Sequence, residues 1–230
     1  MQYKLLEAIY SSSFGENLVF IGGTSIHIIY GNTRFSEDLD FDNQGLDKND
    51  FEKLSKHLQT QIKREGLDVE TKVVIKNAYH IFFYFTRILQ EMRLTGHKNA
   101  KLLIRIDAEP QNYNYAANSI LLNKFDVFQK IRVAHPSLLL AQKIATIFER
   151  KRPMGRDFFD VTFLYPNHEP DYRYLKKKLG ISDLKTLKKR LFEHCKSLKF
   201  NQLSLDVAPF LYHSQDKKRV EQFLKFVKSI

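Results

Sequence analysis

The chain has 230 residues, room for one substantial domain or two small ones, and its 43% apolar content is enough for a real core. A single cysteine, Cys195, excludes an intramolecular disulfide framework and a cysteine-rich zinc site, and fits a reducing compartment as a small buried apolar residue. The net charge of +11 is uneven: residues 1–135 carry 17 Lys/Arg against 16 Asp/Glu, and residues 136–230 carry 20 against 10. A near-neutral half is thus followed by a strongly basic one, which fits either a polyanionic partner or a solvated lysine-rich helical surface. The opening M-Q-Y-K-L-L-E has a charge inside the would-be apolar region, so no signal peptide is expected. No run approaches the ~18 apolar residues of a membrane span. A soluble cytoplasmic protein is expected.

In chain order, Leu5, Leu6 and Ile9 mark a short helix over 2–10. N-L-V-F-I (17–21) is a buried strand stopped by Gly22-Gly23, and Thr24 to Tyr30 reads as a helix ended by Gly31. Residues 38–42 are strand-like. Phe51, Leu54, Leu58 and Ile62 give a helix, with Asn49 and Glu52 as its expected capping box. Strands are expected over 69–76, 78–86 (centre I-F-F-Y-F) and 101–108, with a turn at 96–99. Residues 111–118 read as loop, and 120–133 as one or two short strands. From Pro136 the pattern is helical: Leu140, Ile144, Ile147 and Phe148 share a face, and a second helix covers 156–164. Leu184 to Leu198 and Val220 to Val227 give two more amphipathic helices. The fold class is α+β: a mixed β-sheet with flanking helices over 1–135, then a helical C-terminal domain over 136–230.

The chemistry gathers in residues 20–42. Residues two apart in a strand point the same way, so Asp38, Asp40 and Asp42 share a face, with Leu39 and Phe41 on the other. Paired carboxylates suit hard divalent cations that bridge to phosphates. Gly22-Gly23 lets backbone approach a ligand, and the helix start behind it offers unpaired N–H groups and a positive dipole end to a triphosphate. Thr24 and Ser25 add hydroxyls, the alternative being a plain N-cap at Thr24. Asp107, facing away from Ile104 and Ile106, is the best third carboxylate, and Glu109 shares its face. Downstream, Lys143 and Arg150 share a helix face and could point at one anion, the alternative being a solvated basic edge. Arg156 and Asp160 are spaced for an intrahelical ion pair. His27 and Tyr30 are expected to pack on the sheet rather than on a base.

G-G-T-S followed by R-F-S-E-D-L-D-F resembles the signature of the AbiEii-type toxins, a branch of the DNA polymerase β-like nucleotidyltransferase superfamily. L-L-A-Q-K-I-A-T-I-F-E-R is similar to that family's lysine helix, and G-R-D-F-F-D to its arginine–aspartate motif, so the matched segments span roughly 18–164. The resemblance implies that Gly22, Gly23 and Thr24, with Ser25 beside them, hold the triphosphate. It implies Asp38, Asp40 and Asp107 as ligands of Mg²⁺ or Mn²⁺, and Lys143 reaching the nucleotide. Asp157 and Asp160, positioned by Arg156, would complete the site.

The expected function is therefore transfer of a nucleotide from NTP to an acceptor hydroxyl. The acceptor would be RNA, with a tRNA end as one form, held by the basic half around Lys176–Lys178 and Lys188–Arg190. An antitoxin protein would be the partner, and no membrane is involved. The alternatives are a non-catalytic nucleic-acid-binding protein on the same fold and a metal-dependent nuclease. The glycine turn has no evident job in the nuclease.

Overall fold

The computed structural model describes residues 1–76, 78–97 and 100–230, which form two compact units. One comprises Met1–Ser25 and Glu37–Ala134, the other Ile26–Ser36 and His135–Ile230. Alongside a boundary near residue 135, the segment Ile26–Ser36 thus groups with the C-terminal residues.

The first unit is a seven-stranded mixed sheet with helices. Its strands are β1 (Leu18–Ile21), β2 (Leu39–Asn43), β3 (Val69–Ile75), β4 (Tyr79–Phe85), β5 (Leu102–Glu109), β6 (Asn118–Lys124) and β7 (Val127–Val133), in the order β3-β4-β5-β2-β1-β7-β6. β2 runs parallel to β5 and β1 parallel to β7; the other neighbours are antiparallel. The interior strand β1 is buried at every residue, which is why its sequence is an unbroken apolar run rather than an alternating one. α1 (Gln2–Tyr10) packs Leu5, Leu6 and Ile9 against the sheet and α3, each fully buried and worth roughly 1.5–3 kcal/mol. α2 (Gly22–Tyr30) leaves β1 without a linker, and the division between units falls inside it, after Ser25.

α3 (Lys48–Arg64) is capped by Asp47, whose carboxylate accepts from Asp50 N at 2.8 Å. The helix starts two residues earlier than Asn49 suggested, because Asp47 is itself a strong cap. α4 (Ile88–Glu91) is a single turn. The turn expected at 96–99 falls partly on Lys98 and Asn99, outside the described residues. The 120–133 region resolves into two full strands joined at Phe125-Asp126, with Phe125 at φ +55°.

The second unit contains α5 (Pro136–Glu149), α6 (Gly155–Leu164), α7 (Tyr172–Leu179), α8 (Leu184–Cys195), α9 (Phe200–Val207), α10 (Lys218–Glu221) and α11 (Phe223–Ser229). The single helix expected over 220–227 is broken at Gln222. Phe158, Phe200 and Phe223 form the aromatic centre of this unit, with ring centroids 4.8–5.6 Å apart. Gly155 is dictated by packing: a Cβ there would sit 1.9 Å from the Leu203 carbonyl oxygen. Cys195 is fully buried, and burial pushes its thiol up to about 12, so it serves as packing rather than as a nucleophile. Residues 33–35 join this unit by strand-like bonds: Phe35 N donates to Phe210 O (2.7 Å) and Tyr212 N to Thr33 O (3.0 Å).

Candidate active site

In the sheet unit, β2 and β5 are parallel neighbours with Asp40 opposite Asp107, so these carboxylates stand on one face of the sheet. Asp38 precedes β2 on the same side. Arg105 of β5 connects two of them: its Nη2 donates to Asp38 Oδ2 at 2.9 Å, and its Nε lies 2.9 Å from Asp107 Oδ2. The second contact is an ion pair whose angle falls outside hydrogen-bond geometry. The other oxygen of Asp107 lies 2.7 Å from His80 Nδ1 on β4. Asp38, Asp107 and Arg105 all remain partly open to solvent, at 37, 20 and 39%.

The glycine turn is tied to this cluster. Gly22 has φ +76°, and a Cβ there would lie 2.1 Å from Asp40 Oδ2, so the Asp40 carboxylate rests directly on the turn. Thr24 and Ser25 are fully buried. Thr24 Oγ1 donates to the Asp38 carbonyl and Ser25 Oγ to the Gly22 carbonyl (2.8 Å). These hydroxyls shape the turn and the approach to Asp38. Asp42, on the same strand face, is buried and clamps the loop after β5: it accepts from Gln111 N and Tyr115 OH, both at 2.8 Å. Burial, and then the adjacent Asp42 charge, hold the Tyr115 phenol well above its usual range.

In the helical unit, the residues expected around Lys143 form a buried ionic network. Asp157 and Asp160 are 2% and 0% exposed. Lys143 Nζ lies 3.5 Å from Asp157 Oδ1 and 3.0 Å from Asp160 Oδ2; Arg150 Nε lies 3.2 Å from Asp157 Oδ2. The anion that Lys143 and Arg150 share is therefore Asp157. Arg156 is exposed and stands away from Asp160, contrary to its helical spacing, because that carboxylate is already occupied from the other side. Arg34 grips Asp160 with both arms, Nε to Oδ1 at 3.0 Å and Nη2 to Oδ2 at 2.9 Å, and Asn32 Nδ2 adds a bond at 2.9 Å. Burial raises the Asp160 pKa, but Lys143 and Arg34 outweigh it and hold the carboxyl below the usual range.

Three partners were not visible as such in the sequence. Arg34 opens the R-F-S-E-D-L-D-F stretch, yet nothing local points it at a residue 126 positions away. His80 meets Asp107 only through the β4–β5 register. Asn32 sits in a loop. His27 packs within the helical unit, its Nδ1 2.7 Å from Asn32 O and its Nε2 3.1 Å from Tyr212 OH.

The donor set of the sheet cluster fits a divalent cation in kind: oxygen only, on one face, already gathered around a positive group. That group is the Arg105 guanidinium, which stands between Asp38 and Asp107. With the side chains so arranged, no three His, Cys, Asp or Glu groups among the described residues converge closely enough to hold an ion.

The profile of a nucleotidyltransferase family, the AbiEii toxins of type IV toxin–antitoxin systems, matches residues 4–226, well beyond the 18–164 that the sequence motifs span. None of the curated proteins matches the chain significantly. Among solved structures, JHP933 from Helicobacter pylori is similar at 17% identity and TM-score 0.60, with 99% of this chain and 89% of that chain covered. A second solved structure from H. pylori, described as that of a nucleotidyltransferase, is similar at 17% identity and TM-score 0.60, with 99% and 92% covered. These likenesses establish a shared fold. No helix among the described residues is long and apolar enough to cross a membrane.

Proposed function

Because the chain belongs to the AbiEii nucleotidyltransferase toxin family, we propose that it moves a nucleotide from an NTP to a hydroxyl of an RNA acceptor, a tRNA end being one form, and that a separately encoded antitoxin is its partner. One observation carries the reading: Asp40 in register with Asp107, Asp38 beside them, and the Gly22 turn beneath. The turn lets backbone N–H groups of α2 approach the triphosphate with no Cβ in the way. Asp38, Asp40 and Asp107 would hold Mg²⁺ or Mn²⁺, which when bound neutralises phosphate charge and polarises the phosphoryl oxygens.

The acceptor oxygen attacks the α-phosphorus, whose bond to pyrophosphate breaks, and Asp107 takes the hydroxyl proton. His80 holds one oxygen of Asp107 and so fixes which lone pairs face the acceptor. Arg105 places the Asp38 carboxylate. In the helical unit Lys143 is the nucleotide-directed cation, its Nζ set by Asp157 and Asp160. The basic surface around Lys176–Lys178 and Lys188–Arg190 carries acceptor phosphates, so binding weakens steeply with salt.

The test is incubation with labelled NTPs, Mg²⁺ and total RNA. Label is expected to enter RNA with wild type and not with Asp38→Ala/Asp40→Ala. No label above that control overturns the reading. RNA shortening without NTP would indicate a nuclease, and RNA binding indifferent to NTP and to the aspartates would indicate a binding protein.

A further inference from the structure

β4 alternates strictly. Tyr79, Ile81, Phe83 and Phe85 face α3, where Tyr79 meets Phe51 with ring centroids 5.2 Å apart, and the last three are buried. His80, Phe82 and Tyr84 occupy the opposite face, each half-buried. Three aromatic rings in a row on a half-exposed face form a contiguous apolar stripe, the kind of surface that serves binding. The Phe82 and Tyr84 rings are near parallel, 13° apart with centroids 6.4 Å apart, and His80 adjoins Phe82 at 6.4 Å.

The register ties this stripe to the carboxylates. His80 is opposite Asp107, Phe82 opposite Arg105, and Tyr84 opposite Leu103, which is 44% exposed. Two cations border the rings: Lys72 of β3 is exposed opposite Phe82, and Lys101 Nζ lies 5.9 Å from the Tyr84 ring centroid. Lys101 also pairs with Glu70 Oε2 at 2.6 Å, Glu70 standing opposite Tyr84. At about 3.3 Å per residue, Phe82 lies one nucleotide step and Tyr84 two steps from the Asp107 row.

The geometry points to a stacking platform for the last unpaired bases of a single-stranded RNA acceptor. Phe82 and Tyr84 take successive bases, Lys72 and Lys101 accompany the backbone, and the terminal hydroxyl is delivered to Asp107. Parallel rings with a cationic border are the recurring means of holding unpaired bases without reading their identity. A duplex keeps its bases stacked inside and offers nothing to these rings. The proposal rests on the nucleotidyl-transfer reading for the direction of the strand, and names the acceptor class of that same site.

Fluorescence anisotropy with the full chain tests it. One probe is a short 5′-labelled single-stranded oligoribonucleotide; the other has the same length and charge but abasic sugars at its last three positions. Wild type is expected to bind the intact probe at least about tenfold more tightly. Phe82→Ala and Tyr84→Ala should each shrink that preference, the double variant should erase it, and Tyr84→Phe should keep it. Equal affinity of wild type for both probes overturns the platform, as does a preference that survives in the double variant with its circular dichroism intact. Competition by blunt duplex RNA as strong as by single strand also overturns it. If base preference is present while no NTP label is transferred, the platform stands and nucleotidyl transfer falls. Transfer without base preference leaves nucleotidyl transfer standing and removes the platform.

Discussion

Two sets of aspartates sit in contrasting surroundings. In the sheet unit Asp38 and Asp107 are partly solvated and share one guanidinium, with His80 on the far side of Asp107. In the helical unit Asp157 and Asp160 are sealed from water and drawn to three cations, Arg34, Lys143 and Arg150. A buried carboxylate is tolerable only when paired, and these two are held by ion pairs to those three cations. The first set is neutralised less completely and keeps solvent access, which suits the catalytic role proposed for it. Similar motif letters thus meet a sealed ionic network in one unit and a solvated cluster in the other.

The strongest way to break this contrast is to remove a member of the buried set. Asp160→Asn leaves the buried Arg34 guanidinium facing a neutral amide that can accept from only one of its two arms, and is expected to lower stability by about 3–5 kcal/mol in urea unfolding. An unchanged midpoint would show that the network is dispensable. Asp40→Asn should do the reverse, cutting nucleotide incorporation by about 10²-fold or more while leaving the unfolding curve nearly in place. Gly22→Ala belongs to both classes, because its φ and the 2.1 Å approach of Asp40 resist a side chain. A loss of roughly 1–3 kcal/mol together with loss of activity is expected from calorimetry and incorporation assays.

The pH dependence sharpens the same point. Asp160 binds its proton less readily when folded than its ordinary value of 3.8, so the unfolded chain takes up protons first as pH falls. Its contribution is present above that value and is lost as pH falls through the folded one. Urea midpoints measured below about pH 4 should fall more steeply for wild type than for Asp160→Asn. The smallest effect is expected at Asp38→Asn: the pair with Arg105 is over a third exposed on both sides, so stability should change by under about 1 kcal/mol.

Much of the architecture could be read directly. Apolar runs stopped by glycine gave β1 and the start of α2, and alternation placed Asp107 opposite Ile104 and Ile106. What escaped has identifiable causes. The β6–β7 connection hid because its left-handed residue is Phe125, where Gly or Asn would have announced a turn. Arg156 offered a nearby partner for Asp160, and local spacing cannot weigh that against a bidentate arginine far along the chain. The His80–Asp107 contact depends on strand register, which no single segment encodes.

The return of Ile26–Ser36 to the helical unit also has a consequence for synthesis. Arg34 leaves the ribosome 126 residues ahead of Asp160, which at 5–20 residues per second means roughly 6–25 s during which it has no carboxylate to grip. A fragment starting at His135 would never meet it. The helical half is thus completed by a piece of chain made first and kept waiting.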